Sequence, residues 1–94
     1  MFVDRAHLRD LYSLFASIES EEEAEKLLTD LLTPKEIESF AERWQLVQAL
    51  HQGLPQREIA QKLGISISKI TRGSRILQYG NGGLEHFLKK LRKQ

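Results

Sequence analysis

Apolar residues along the first half of the chain recur at helical spacing. Leu8, Leu11, Tyr12, Phe15 and Ile18 line one face of a segment from about Asp4 to Ile18 and predict a first helix. Ser20 followed by Glu21, Glu22 and Glu23 marks the next start: a hydroxyl can accept from free amides, and carboxylates favour the positive end of the helix dipole. This second helix runs to about Leu32, with Leu27, Leu28, Leu31 and Leu32 on its apolar side. Thr33-Pro34-Lys35-Glu36 then supplies a cap, a proline at the first helical position and a glutamate three residues on, which together form a capping box. Ile37, Phe40, Ala41, Trp44, Val47 and Leu50 form the stripe of a third helix, stopped by Gly53 and Pro55.

The pattern shortens beyond that point. Gln56 to Leu63 reads as a fourth helix, Gly64 as a turn, and Ser66 as the cap of a fifth helix from Ile67 to about Gln78. Tyr79-Gly80-Asn81-Gly82-Gly83 is a compact loop. A last helix carries Leu84, Phe87, Leu88 and Leu91 on its apolar side and Lys89, Lys90, Arg92 and Lys93 on its solvated side, over residues 84–93. No strand pattern or repeat is present, so the expected fold is all-α with six helices. One domain is expected over residues 1–94, with core helices in 1–53, a helix-turn-helix in 56–78 and the last helix completing the core.

Residues 56–78 carry the chemistry. Two helices crossing steeply over a three-residue turn need a small residue where they touch and a residue tolerant of positive φ in the turn; Ala60 and Gly64 stand at those places. Ile59, Leu63, Ile65 and Ile70 are the predicted buried contacts. Such a unit inserts its second helix into the DNA major groove. The residues placed to meet DNA are Ile67, Ser68, Lys69 and Thr71, with Gln56 and Arg57 opening the preceding helix. Arg57 suits the bidentate contact to guanine, and Lys69 and Gln56 suit phosphate or adenine. A plain helical hairpin is the bland alternative.

Charge sharpens this picture. The 94 residues carry a net charge of only +1. Residues 19–42, however, hold nine acids against two lysines, and residues 56–75 hold five basic side chains against Glu58. Positive charge therefore gathers where phosphates would lie. A single reading helix spans few base pairs, so a homodimer with heads about 34 Å apart is expected. The first three helices also carry more leucine and aromatic surface than one small bundle can hide, with Phe40 and Trp44 expected at the dimer interface.

Other classes find little support. The sequence has no cysteine, and His7, His51 and His86 are far apart, so neither a thiolate site nor a metal-ligand set is expected. Nucleophile motifs, phosphate loops and paired acids are lacking, so no enzymatic activity is expected. No apolar run is long enough to cross a bilayer, and the N-terminal stretch MFVDRAHLRD lacks a secretory core, which points to the cytoplasm with no membrane partner.

One position resists the generic reading. Helix-turn-helix units carry an aliphatic side chain where Gly73 stands, and glycine inside a helix costs about 1 kcal/mol relative to alanine. Either two helices approach closely there, or a slot is kept open for something planar.

The segments LLTPKE, AERWQLVQALHQG, QREIAQKLG and ITRGS occur in an order and near a spacing that resembles the tryptophan (trp operon) repressor family, over about Leu28 to Leu77. The resemblance implies an interleaved all-helical homodimer that binds L-tryptophan as corepressor and then fits double-stranded operator DNA, controlling tryptophan biosynthesis genes. It implies further that Arg43 and Arg72 sandwich the indole and that Arg72 also meets the carboxylate. Thr33 matches the hydroxyl that helps hold the carboxylate, and carbonyls around Leu32 of the other subunit match the amino-group acceptors. Gly73 and Val47 match positions against the ring. No other cofactor is implied. A domain this small leaves little surface to recruit a polymerase, so repression by blocking access is the expected mode.

The chain departs from the family at several points. Ile76 stands where the family has a serine whose hydroxyl meets the ligand's amino group, so that grip is lost or passed to backbone carbonyls. Lys69 replaces a threonine that meets the operator, and the turn before Gln56 is one residue shorter. The loop YGNGG resembles the tryptophan-repressor-like proteins instead. Two alternatives stay open: a DNA-binding regulator that answers to another ligand or to none, and a module that recruits a protein partner.

Overall fold

The computed structural model describes residues 3–92. Lys93, and Met1 and Phe2 of the N-terminal stretch, lie outside the described residues. Six α-helices follow one another, and there is no strand among the described residues: α1 Arg5–Ala16, α2 Glu21–Leu31, α3 Pro34–His51, α4 Gln56–Leu63, α5 Ile67–Tyr79 and α6 Gly83–Arg92. The all-α, six-helix fold is therefore as the periodicity predicts. Element ends differ from the expected ones by one or two residues. The length predicts one domain; within the chain, contacts gather into two compact units, Met1–Ile37 and Glu38–Gln94.

Side-chain caps set the starts in the first unit. Asp4 Oδ1 accepts from the Ala6 amide at 2.7 Å and opens α1. Ser20 Oγ accepts from the Glu23 amide at 3.1 Å, and Glu23 Oε1 reaches back to accept from the Glu19 amide at 2.9 Å. Of the three acids in the first turn of α2, Glu23 thus satisfies a backbone donor just ahead of the helix, and all three lie at the positive end of the helix dipole. The capping box read at Thr33 forms in full: Thr33 Oγ1 accepts from the Glu36 amide at 3.1 Å, and Glu36 Oε1 accepts from the Thr33 amide at 2.9 Å. Neither α1 nor α2 buries a single residue. Leu11, Tyr12, Leu14, Phe15 and Leu31 remain exposed.

The second unit holds the core. Leu46 of α3, Ile59 of α4, Ile65 of the turn and Ile70 of α5 are buried together, with Ala49, Leu50, Leu54, Ala60 and Leu63 packed around them. Gly53, at φ 84°, ends α3: the Leu54 amide donates to Ala49 O at 3.2 Å and the Gly53 amide to Leu50 O at 3.0 Å. That pair of bonds is a Schellman motif, and it folds Leu54 back beneath the head. The predicted apolar stripe of α3 is only partly buried. Val47 is fully buried, Trp44 and Leu50 are half-buried, and Phe40 is exposed; the buried Leu46 lies outside that stripe.

Candidate nucleic-acid interface and ligand cleft

The head is built from short-range chemistry. Gly64 closes α4 in the left-handed region, φ 66° and ψ 34°, with its amide donating to Ala60 O at 2.9 Å. A side chain there would be strained, so the glycine permits the sharp turn. Ser66 Oγ then accepts from the Lys69 amide at 3.2 Å and starts α5. Ile59 and Ile70 are fully buried, so the two helices are locked from beneath. All six side chains expected to meet DNA, namely Gln56, Arg57, Ile67, Ser68, Lys69 and Thr71, are exposed. Ile67 is the unusual one: a large aliphatic side chain on the first turn of α5 with about half its surface in water.

Behind the base of α5 lies a cleft of about 110 Å³, lined by Ser39, Glu42, Arg43 and Leu46 of α3 and by Lys69, Arg72, Gly73 and Ile76 of α5. Arg43, Arg72 and Gly73, three of the expected ligand residues, thus share one wall system. The Arg43 guanidinium stands over the ring of Phe40, one turn earlier on α3, at 5.8 Å from its centroid. Across the cleft, Lys69 Nζ donates to Glu42 Oε1 at 3.0 Å.

The lining does not include the remaining expected ligand residues. Val47 is completely buried and takes no part in the lining; Leu46 beside it does. Leu32 and Thr33 belong to the first unit. Leu32 continues α2 as extended backbone, φ −112° and ψ 152°, with its amide donating to Leu28 O at 3.0 Å, and the Thr33 hydroxyl is engaged in its cap.

The open slot expected at Gly73 is not empty. A Cβ there would stand 2.7 Å from Leu46 Cδ2, 3.2 Å from Leu46 Cγ and 3.6 Å from Leu50 Cδ1. The glycine's first effect is a close approach of α5 to α3, and the cleft opens beside that contact. Sequence reasoning missed Leu46, Glu42 and Ser39. The available signal was the four-residue spacing of 42, 46 and 50 on α3 facing 69 and 73 on α5.

A second groove, of about 550 Å³, runs between Trp44, Gln48, His51 and Gln52 of α3 and Leu88, Leu91 and Arg92 of α6. It contains none of the expected ligand or DNA residues. Among the described residues no group of histidines, cysteines or acids could hold a metal ion, and no helix is long and apolar enough to cross a membrane.

The fold and this head define a small all-α helix-turn-helix protein. The chain belongs to the Trp repressor protein family, whose model matches residues 6–92. It is 42% identical over 86 residues to a Trp operon repressor homolog of Chlamydia caviae, covering 90% of this chain and 85% of that one. Over 96 residues it is 33% identical to the uncharacterized protein YerC of Bacillus subtilis, covering 99% and 92%. Its fold matches the crystal structure of a TrpR like protein from Eubacterium eligens with a TM-score of 0.88 and 28% identity, covering 94% of this chain and 91% of that one.

Proposed function

We propose that this protein is a transcriptional repressor that binds operator DNA as a homodimer, with L-tryptophan as corepressor. The observation that carries the proposal is the meeting of Arg43 and Arg72 in one cleft directly behind the helix whose first turn exposes Ile67, Ser68 and Lys69. A planar guest held between two guanidinium planes gains about 0.5–2 kcal/mol per face, depending on desolvation. A ligand seated against α5 can bias the pose of the head, because its affinity differs between poses.

The dimer is supported by what one chain leaves bare. α1 and α2 bury nothing, and the groove beside Trp44 and Leu88 is open. The cleft of one chain, about 110 Å³, is well below the roughly 300–1,000 Å³ of sites that enclose drug-sized ligands. In this reading further walls come from outside that lining, with the Thr33 hydroxyl and the carbonyls around Leu32 of a second copy as the family's candidates. Leu46 must also turn aside for a ring to reach the Gly73 backbone, a movement open to a side-chain tip.

The test is selection of bound duplexes with and without each amino acid, followed by calorimetry on the ligand that changes the outcome. L-tryptophan should raise the affinity for the selected duplex, and Arg43→Ala should remove that enhancement while leaving the ligand-free affinity nearly unchanged. DNA binding indifferent to tryptophan would instead favour a regulator with another ligand or none. That second reading has one specific support: Ile76, in the lining, puts an aliphatic side chain where the family's serine would meet an amino group.

A further inference from the structure

The seam between α3 and α5 has two successive rungs. On one, Leu46 packs against Gly73. One turn away on both helices, Glu42 holds the Lys69 ammonium at 3.0 Å. Lys69 lies on the first turn of α5, whose side chains face DNA in the proposed function. Its ammonium nevertheless points back to the scaffold. Glu42 is the more enclosed partner, at 36% side-chain exposure against 61% for Lys69. A pair this wet is weak and readily exchanged for a better anion.

We infer that the Glu42–Lys69 bridge is an electrostatic latch: in the DNA-free protein it ties the reading helix to α3, and a DNA phosphate must displace Glu42 to engage the Lys69 ammonium. The inference rests on the DNA-binding reading above. Its consequence is that Glu42 lowers affinity for every duplex, specific or not, by competing for one cation. Phosphate contacts of this kind carry no sequence information, so the latch acts as a general brake on the head. The brake also lies within the ligand cleft, so a guest there meets the same two charges.

The test compares Glu42→Gln with Glu38→Gln, which removes the same charge one turn earlier on α3 from a residue with no ion pair among the described residues. Binding to a random-sequence duplex is measured at low salt, together with amine-reactive labelling of Lys69 in the absence of DNA, with exposed Lys62 as internal reference. Glu42→Gln should tighten duplex binding several-fold more than Glu38→Gln, that excess should vanish in a Lys69→Gln background, and Lys69 should label faster in Glu42→Gln than in the parent. Equal gains from the two glutamines, a gain that survives Lys69→Gln, or unchanged Lys69 labelling would each overturn the latch. A parent protein that binds no duplex at any salt would overturn the DNA-binding reading and the latch's role with it, and the labelling would still report whether the bridge restrains Lys69.

Discussion

Leu46 Cδ2 lies 2.7 Å from the point where a Cβ on Gly73 would stand. Real Cβ atoms do not approach so closely, so Gly73→Ala must displace the tip of a leucine that is itself buried in the core. The substitution also gains about 1 kcal/mol of helix propensity, and the two effects oppose each other. Alanine at 73 should therefore be close to neutral or destabilising in the native background. With Leu46 cut back to alanine, at its own cost of about 2–5 kcal/mol, the same change should stabilise by about 1 kcal/mol. Urea unfolding of the four members of this cycle measures the coupling, and Leu46→Val replaces Leu46→Ala if the latter does not fold. Additive effects would mean that the two side chains do not meet.

This packing also marks how far the sequence could be read. Starts and stops were legible because they depend on local hydrogen bonds: the Thr33–Glu36 box, the Ser20 and Ser66 caps and the turns at Gly53 and Gly64 each involve residues within a few positions of one another. The helix-turn-helix core was legible for the same reason, since Ile59, Ile65 and Ile70 are close in sequence. The role of α3 was harder. It is apolar on two sides, one bearing Leu46, Ala49 and Leu50 toward the head and another bearing Phe40, Trp44 and Val47, and a single stripe merges them. The Glu42–Lys69 pair joins residues 27 positions apart, which no periodicity announces.

Ile76 predicts the direction of a gain. It lines the cleft with an aliphatic side chain that is 43% exposed. A hydroxyl there could meet an amino group, and an exposed site loses little packing by the change. Ile76→Ser should raise affinity for L-tryptophan, with a net hydrogen bond worth about 0.5–1.5 kcal/mol, or roughly 2- to 13-fold. The gain should be absent for indole-3-propionate, which lacks the amino group. Calorimetry on both ligands decides the matter, and an equal change for the two would show that residue 76 does not face the amino group.

If the proposed homodimer covers the bare faces of α1 and α2, folding and assembly are one event. Leu11, Phe15 and Leu31 are 40–45% exposed in the single chain, and covering what each still shows to water adds about 0.6–1.4 kcal/mol. The melting temperature should then rise with protein concentration, as it does when association is linked to folding. Phe15→Glu should shift the protein to a smaller species in sedimentation and lower its melting temperature. A melting temperature independent of concentration, with an unchanged sedimentation coefficient for the variant, would contradict the dimer.

On the side proposed to face DNA, Arg57 and Ile67 should fail in different ways. Both are exposed, one as a cation at the start of α4 and the other as an apolar side chain at the start of α5. If the Arg57 guanidinium neutralises a phosphate, Arg57→Gln should weaken binding to all duplexes alike and reduce the slope of log K against log salt by about 0.9 for that one phosphate. If it instead grips a guanine, the loss should be about 1–3 kcal/mol and confined to one base position. Ile67 has no charge to lose and can act only by shape, most simply against a thymine methyl. Ile67→Ala should therefore leave the salt slope unchanged and relax preference at one step of the selected sequence. Salt titrations of both variants on a selected duplex and on a scrambled one separate these outcomes, and a protein-recruiting module would show a shallow slope in the parent and no duplex preference in any of them.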